Sequence, residues 1–320
     1  MAEPRFDVTS LGEMLLRLSV PEGKRLETAT NLDVYPAGAE ANVISVLARL
    51  ERRTCWFGAL PKNPLGRLAA NALRIAGTDT SGITWSEKGR LGTYYVEFGA
   101  PPRGIQVTYD RAHSCATQLR VDEINWEVLL DTCLLHLTGI TPALSSACHE
   151  VVLEAIKRAK QRGVSVSFDV NYRQKLWTET EAEEILSPMM WAVELLFCSM
   201  TDAKRLFHCQ GTAQEVAEQM LRHSQARQLV LTIGEQGALL WNGKDWSHEP
   251  SRAKQIIDRL GAGDALAAGV IHGWLEGDVA QGLKYGATLA ALALSQLGDM
   301  VITNKEELLN LSKGDSSLTR

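Results

Sequence analysis

Residues 256–269 have the sequence IIDRLGAGDALAAG, and the interpretation of the whole chain starts from them. Gly261 and Gly263 flank Ala262, and glycine permits backbone conformations that are closed to bulkier residues. Three successive N–H groups can therefore converge on one point and hold an anion there. Residues 264–277 are rich in Ala and Leu and predict a helix, so these amides would also lie at the positive end of a helix dipole. Such a site suits a phosphoryl group that is being transferred.

Asp264 follows the glycines directly, in the first turn of that predicted helix. A carboxylate in this position could accept a proton from a hydroxyl group that attacks in line with the phosphoryl group. The alternative is an ordinary strand-to-helix turn, in which Asp264 offsets the helix dipole and Ala265, Ala268 and Gly269 allow close packing. Asp258 and the Ala-rich helix favour the phosphate interpretation.

Composition limits the class of protein. A chain of 320 residues with 45% hydrophobic residues can bury a substantial core. The net charge of -5, without blocks of like charge, indicates neither nucleic acid nor a membrane as partner. Six cysteines without C-x-x-C spacing predict buried free thiols in a reducing compartment. Because no apolar stretch has the length of a signal or membrane segment, we expect a cytoplasmic protein.

Compact apolar strands alternate with helices after residue 114, which predicts a mostly parallel sheet covered on both faces. Residues 89–114 differ: alternating side chains around a Pro101-Pro102 turn predict a hairpin, a candidate lid that pairs with the strand after Gly12. The predicted division is a main α/β domain (1–12, 37–88 and 115–312), a small β lid (13–36 and 89–114) and a flexible tail (313–320).

The run at 261–264 resembles the C-terminal signature of the ribokinase-like (PfkB) carbohydrate kinase family, and the resemblance covers nearly the whole chain. It implies an α/β three-layer sandwich with a mostly parallel central sheet and a small β-sheet lid. It also implies that Gly261, Ala262 and Gly263 form an anion hole and that Asp264 is the catalytic base. ATP and Mg²⁺ are the implied cofactors, and a requirement for a monovalent cation stays open.

Ligands bind beyond the carboxyl ends of the strands in open parallel sheets, so motifs at strand ends should converge there. Gly38–Asn42 resembles the family's Gly-Gly-x-x-x-Asn sugar motif, with Ala37 in place of the first glycine. The backbone of Gly38 can approach a ligand closely, and the Asn42 amide can both donate to and accept from sugar hydroxyls. The alternative is a helix N-terminus in which Asn42 lies one turn in.

Two arginines follow motifs that resemble the ketodeoxygluconate kinases of this family. They are Arg173, in the run Asp-Val-Asn-Tyr-Arg at 169–173, and Arg111, in a Tyr-x-Arg element that reaches from the lid. A guanidinium group grips a carboxylate with two parallel hydrogen bonds, which favours a sugar acid as substrate. Either arginine could instead be a surface ion-pair partner. Asp299 resembles an acidic residue near the C-terminus of the ketodeoxygluconate kinases, and the alternative is that it is an exposed loop carboxylate. The substrate-binding candidates are Gly38, Asn42, Tyr95, Tyr109, Arg111, Asn171, Arg173 and Asp299.

Residues 234–237 resemble the family's nucleotide loop, although a hairpin turn between two strands is the compatible alternative. The broader family has Asn-x-x-Glu after the strand near 198 to organise Mg²⁺, whereas this chain has Ser-Met-Thr-Asp at 199–202. Asp202 is the metal candidate, because its shorter carboxylate can still hold Mg²⁺ through bridging waters. This ion keeps several waters and binds chiefly through substrate phosphates. The nucleotide-binding candidates are Ser199, Thr232, Gly234, Gly237 and Thr288.

The expected activity is ATP-dependent phosphorylation of a primary hydroxyl of a sugar acid, with 2-keto-3-deoxygluconate as the first choice. A kinase of a neutral sugar such as fructose or ribose is the first alternative. A catalytically silent sugar-binding protein on the same fold is the second, because the Asn-x-x-Glu site is altered. The exposed lid hairpin predicts a homo-oligomer that forms through the lid. His136, in an apolar strand, is expected to be a hydrogen-bonded core residue.

Overall fold

The computed structural model describes residues 3–99 and 102–314, which form thirteen β-strands and ten α-helices. Pro101 of the predicted turn and residues 315–320 of the predicted tail lie outside the described residues. The strands are β1 (Phe6–Leu11), β2 (Leu15–Ser19), β3 (Asp33–Ala37), β4 (Thr54–Pro61), β5 (Ile83–Ser86), β6 (Gly92–Glu97), β7 (Gln106–Asp110), β8 (Thr132–Thr138), β9 (Ser165–Asp169), β10 (Leu195–Ser199), β11 (Gln228–Thr232), β12 (Ala238–Trp241) and β13 (Trp246–Glu249). The helices are α1 (Ala39–Arg49), α2 (Pro64–Ala76), α3 (Trp126–Leu129), α4 (Ser146–Arg162), α5 (Glu179–Met189), α6 (Met200–Leu206), α7 (Ala213–Ser224), α8 (Ala262–Leu275), α9 (Val279–Leu294) and α10 (Lys305–Ser312).

Nine strands form one sheet in the order β13-β12-β11-β10-β9-β8-β1-β4-β5. Pairing is parallel from β11 to β5, and β12 pairs antiparallel with both β11 and β13. Successive residues of a buried strand point to opposite faces. In β4, Cys55 and Phe57 accordingly join one hydrophobic core while Trp56 joins the other. The predicted α/β architecture with a mostly parallel sheet is confirmed.

Helices cover both faces of this sheet and complete a three-layer sandwich. One face packs against α1, α2, α8, α9 and α10, and the other against α3, α4, α5, α6 and α7. Helix boundaries follow local sequence signals: Thr178 and Thr212 each accept from the backbone of a glutamate three residues on, whose side chain bonds back. No helix in the described ranges is long and apolar enough to cross a membrane.

The long helices α8 and α9 pack closely against each other. A Cβ atom on Gly269 would lie 2.3 Å from the backbone nitrogen of Gly286, so close packing requires glycine there. This part of the strand-to-helix alternative is correct, and it is compatible with a catalytic role for the start of the same helix. Helix α8 begins at Ala262, two residues before the predicted start.

A second sheet of four strands, in the order β3-β2-β6-β7, forms the lid. Strands β6 and β7 are the predicted hairpin, and β2 pairs with β6 in parallel. Leu15, Tyr94 and Val96 form a small core on the lid, against which Leu260 of the main domain packs. One face of the lid therefore lies over the residues that precede α8.

Two further predictions concern side chains of the core. All six cysteines are free, and all except Cys133 are buried. His136 is completely buried in β8, where its Nδ1 lies 3.1 Å from Ser167 Oγ. Burial lowers the pKa of His136 to about 3, as expected for a neutral core histidine.

Candidate active site

The N-terminus of α8 presents free backbone donors. Gly261 is the N-cap residue, in the left-handed region at φ 81°, and a Cβ atom there would lie 2.2 Å from the carbonyl oxygen of Asp299. Ala265 N–H is the first to donate within the helix, to Gly261 O at 2.9 Å. The N–H groups of residues 261–263, the anion hole, therefore have no partner inside the helix, which suits them to bind an anion.

Asp264 lies in the first turn of α8, beside this anion hole. Its Oδ2 accepts a hydrogen bond of 2.7 Å from Asn42 Nδ2, on the first turn of α1. Burial raises the pKa of Asp264 to about 8, and the charge of Asp169 adds to the shift, while the Asn42 hydrogen bond and Arg173 oppose it. Asn42 is itself buried, and its Oδ1 has no hydrogen-bond partner among the described residues. The Asp264 carboxyl group is thus bound to the Asn42 amide, whose Oδ1 is still able to accept a hydrogen bond from a ligand.

A cavity of about 180 Å³ opens between the lid and these residues, and we call it the cleft. The lid supplies Leu15, Tyr94, Val107 and Tyr109 to its wall. Most of the candidate catalytic and sugar-binding residues lie together here. Those lining the cleft are Gly38, Asn42, Tyr109, Arg111, Arg173, Gly261, Asp264 and Asp299.

Arg111 is buried and paired, so it is not a surface ion-pair residue. Its Nε donates to Glu13 Oε2 at 2.8 Å, its Nη2 contacts the same oxygen, and Ser114 Oγ donates to the other carboxylate oxygen at 2.6 Å. The guanidinium carbon of Arg111 also lies 5.5 Å from the centre of the Tyr109 ring. Glu13 thus fixes the position of Arg111 at the wall of the cleft.

Arg173 has a different environment. Within the described part of the chain its guanidinium makes one hydrogen bond, from Nη1 to the carbonyl oxygen of Tyr172 at 3.1 Å, and it forms no ion pair. The preceding Asn171 is held at φ 42° by Asp169, whose two carboxylate oxygens accept from its N–H and its Nδ2 at 3.1 Å. Asn171 therefore shapes the loop rather than the wall of the cleft, and most of the donors of Arg173 remain available to a ligand.

Tyr95 does not lie where it was predicted, and the alternative interpretation of Asp299 is excluded. Tyr95 faces away from the cleft and lines a separate cavity with Arg25 and Glu97, because Tyr94 takes the inward position of β6. Asp299 is not exposed in a loop: it is buried, its Oδ2 accepts from the Tyr94 hydroxyl, and its Oδ1 lies 2.8 Å from Arg17 Nη1. A shift of one residue along β6 accounts for the error at Tyr95.

The nucleotide candidates divide into two groups. Ser199 and Thr232 are adjacent at the ends of the paired strands β10 and β11, and residues 234–237 form the turn of the β11–β12 hairpin. Thr288 does not fit, because it is buried inside α9 and its hydroxyl donates to the carbonyl oxygen of Lys284 at 2.8 Å. The predicted nucleotide contact at that position is therefore not supported.

The residues around Asp202 fit a hydrated magnesium ion. Ser199 caps α6 and accepts from the Asp202 N–H at 2.9 Å. Burial raises the pKa of Asp202. Burial and the negative charge of Asp202 together raise the pKa of Asp169 to about 7. The positive charge of Arg173 opposes both shifts. The described residues contain no cluster of three metal-binding side chains. A cation there would offset the repulsion between the carboxylates and would take its other ligands from water and phosphate.

Sequence reasoning missed several buried polar residues of the site. Glu40 lines the cleft, and its Oε1 accepts from Thr138 Oγ1 at 2.8 Å and Thr141 Oγ1 at 2.6 Å. Tyr94 was missed as well, and Glu13 was expected at a strand end of the site without being named as a site residue. The available signals were the Glu in the run Gly38–Asn42 and the Glu after Gly12, both acidic residues within otherwise apolar segments.

Comparison with known proteins places this geometry in a family. Residues 5–306 match the profile of the pfkB family carbohydrate kinases. The chain belongs to this family. As a pfkB kinase it is an enzyme that transfers a phosphoryl group to an alcohol oxygen of a small carbohydrate.

Three relatives of this pfkB kinase illustrate the similarity. A 2-dehydro-3-deoxygalactonokinase from Haloferax volcanii is 33% identical over 316 residues, which cover 98% of this chain and 99% of the relative. A 2-dehydro-3-deoxygluconokinase from Bacillus subtilis is 28% identical over 303 residues, 92% of each chain. The crystal structure of a 2-dehydro-3-deoxygluconokinase from Thermotoga maritima superposes with a TM-score of 0.88 at 33% identity, covering 97% of this chain and 100% of that chain.

Proposed function

We propose that this pfkB kinase transfers the terminal phosphoryl group of ATP to a primary hydroxyl of a 2-keto-3-deoxy sugar acid, with 2-keto-3-deoxygluconate as the first choice. The observation that carries the proposal is Arg173, whose guanidinium lies in the same cleft as Asp264 and makes a single hydrogen bond within the described residues. A neutral sugar gives such a group no charge to bind, whereas a sugar carboxylate gives it two oxygens. The names of the relatives, one for a galactonate and two for a gluconate, support the same substrate class.

In the proposed mechanism Asp264 accepts the proton of the attacking hydroxyl, and it does so late because the transition state of phosphoryl transfer is loose. The anion hole stabilises the charge on the equatorial phosphoryl oxygens. Asn42 holds the carboxylate through Nδ2, which leaves its Oδ1 to accept from a sugar hydroxyl. Asp202 would hold hydrated Mg²⁺, which would supply charge neutralisation on the phosphates. The lid excludes water that would otherwise be phosphorylated.

The substrate is tested by measuring ADP release with Mg-ATP and a panel of 2-keto-3-deoxygluconate, 2-keto-3-deoxygalactonate, fructose and ribose. We expect kcat/KM for the acids to exceed that for the neutral sugars by about 10²-fold or more, as for a site built around a charged group. Faster turnover of a neutral sugar would refute the acid proposal, and failure on every sugar would favour a silent binding protein.

Arg173→Gln sharpens this test. Losing a two-pronged contact to a carboxylate should raise KM for the acid by about 10- to 100-fold, with a smaller change in kcat. Arg120→Gln is the control, because Arg120 is an exposed surface residue whose side chain bonds Asp122. Equal KM values for wild type and Arg173→Gln would remove Arg173 from substrate binding.

The edges of the lid sheet and the free cysteines bear on the oligomeric state and on the cellular compartment of the enzyme. The edge strands β3 and β7 of the lid can add strands from a second copy, and we propose a homo-oligomer on that basis. Six free cysteines suit a reducing cytoplasm. Sedimentation velocity at several protein concentrations tests the first proposal, and a single monomeric species would exclude it.

A further inference from the structure

Arg17 is a fully buried guanidinium in the lid. Its Nε donates to Ser19 Oγ at 2.7 Å, and its Nη1 lies 2.6 Å from Asp258 Oδ2 and 2.8 Å from Asp299 Oδ1. The side chains of Arg17 and Asp258 are completely inaccessible to solvent. A strand of the lid thus bridges two carboxylates that both belong to the main domain.

Both aspartates contact the backbone around the anion hole, Asp258 through its carboxylate and Asp299 through its main-chain carbonyl. Asp258 Oδ1 accepts from the N–H of Leu260 at 3.0 Å, and its Oδ2 accepts from the N–H of Gly298 at 3.1 Å. The carbonyl oxygen of Asp299 packs directly against Gly261, at the distance that excludes a side chain there. Asp258 and Asp299 therefore hold together the two loops that set the backbone position of the anion hole.

Other side chains of the lid also contact Arg17 and Asp299. The guanidinium carbon of Arg17 lies 5.3 Å from the ring centre of Tyr35 and 5.2 Å from that of Phe98. The hydroxyl of Tyr94 donates to Asp299, which thus binds side chains of two lid strands, β2 and β6. Movement of the lid would have to break or carry these contacts.

Stability alone is a weak explanation for this arrangement. A buried ion pair gains little over apolar side chains that fill the same space, because desolvation offsets the attraction. Arg17 Nη2 is also buried without a hydrogen-bond partner among the described residues, which adds a further cost. The contacts instead link the lid to the loop that stabilises the transferring group.

We propose that Arg17 is a positioning residue for phosphoryl transfer: it fixes residues 258–261 through Asp258 and Asp299, so that the anion hole reaches its catalytic geometry only when the lid strand β2 is in place. This inference rests on the proposed role of the anion hole and not on the identity of the sugar. It makes the lid part of the catalytic framework as well as a cover over the substrate.

The test compares Arg17→Met with wild type on whichever sugar the wild type phosphorylates. We expect kcat to fall about 10- to 100-fold, as when an oxyanion donor is displaced, while KM for Mg-ATP changes less than about threefold. Arg25→Met is the matched control: Arg25 belongs to the same lid segment but pairs at the surface with Glu97, and its kcat should equal that of wild type. Asp258→Asn preserves the shape of the site and should lower kcat similarly if Arg17→Met fails to fold.

Chemical rescue separates positioning from general destabilisation. Arg17→Ala leaves a space of guanidinium shape, so low millimolar guanidinium chloride should restore kcat saturably, whereas equal NaCl should not. A folded Arg17→Met or Asp258→Asn enzyme with a kcat within threefold of wild type would overturn the inference, as would rescue no better than with NaCl. A wild type without activity on any sugar acid would count against the proposed substrate class and not against Arg17.

Discussion

At the scale of single residues, the electrostatics of Asp264 is the most informative feature. The helix N-terminus, Asn42 and Arg173 favour its ionised form, while burial and the neighbouring Asp169 favour the neutral form. Burial has the largest effect, and the pKa rises to about 8. Most of the free enzyme therefore carries a protonated Asp264 at neutral pH, although the proposed mechanism requires the carboxylate.

The first consequence is a pH dependence. We expect kcat/KM to rise about tenfold per pH unit below about 8 and to level off above it, since only the ionised carboxyl can accept the proton. The Asn42 hydrogen bond lowers the pKa, so Asn42→Leu should move this acid limb to higher pH. Initial rates from pH 6 to 9.5 at constant ionic strength measure both, and a flat profile would contradict the assignment.

The second consequence is that Asp264→Asn should lower activity and raise stability. Turnover should fall by about 10²- to 10⁴-fold, because the base is lost. The folded pKa of about 8 lies above the ordinary value of 3.8, so the unfolded chain ionises first as pH rises. The favourable contribution of this carboxyl to the free energy of unfolding is complete below pH 3.8 and is lost progressively up to about 8.

The amide cannot ionise and escapes this loss. Thermal unfolding should therefore give Asp264→Asn a Tm above that of wild type by a few degrees at pH 8.5, with a smaller difference at pH 5. Unchanged turnover in the variant would remove Asp264 from the mechanism. A Tm below that of wild type at both pH values would show that the ionised carboxylate is stabilised in the fold.

At the scale of elements, the two glycines at the start of α8 differ in whether a side chain fits: Gly261 has no room for one, whereas Gly263 has. Gly261→Ala forces a Cβ atom against the carbonyl oxygen of Asp299 at φ 81°, whereas a Cβ atom on Gly263 meets no atom within 4 Å. We expect Gly261→Ala to lower Tm by several degrees and kcat by about 10²-fold or more. Gly263→Ala should keep the Tm of wild type. Similar unfolding curves for the two variants would contradict this account of the turn.

Strand parity decided which side chains could be predicted to face the cleft. Tyr94 and Tyr95 are adjacent aromatic residues, and the sequence contains no signal that tells which one points inward. The answer depends on the register with β2, which pairs Arg17 with Tyr94 and Leu18 with Tyr95. A register shift of one residue turns every side chain to the other face, so site residues on strands are less predictable than those on helix termini.

At the scale of the whole molecule, the parts carried by local sequence were predictable. The Gly-Ala-Gly-Asp turn, the helix that starts at Ala39 and the alternation of strands and helices all depend on contacts close in the chain. The pairs Glu13–Arg111 and Arg17–Asp299 join residues 98 and 282 positions apart, and neither partner has a local signal for the other. Such long-range polar pairs become visible only once the fold brings them together.

The parallel pairing of β2 with β6 also has a consequence for synthesis of the chain. Strand β2 is made early, but β3, α1, β4, α2 and β5 must follow before β6 arrives to pair with it. Closing such a long loop is slow, and until then one edge of β2 has no partner strand. A nascent chain that stalls before β6 leaves the ribosome exposes this edge, which makes it a target for chaperones or for premature association.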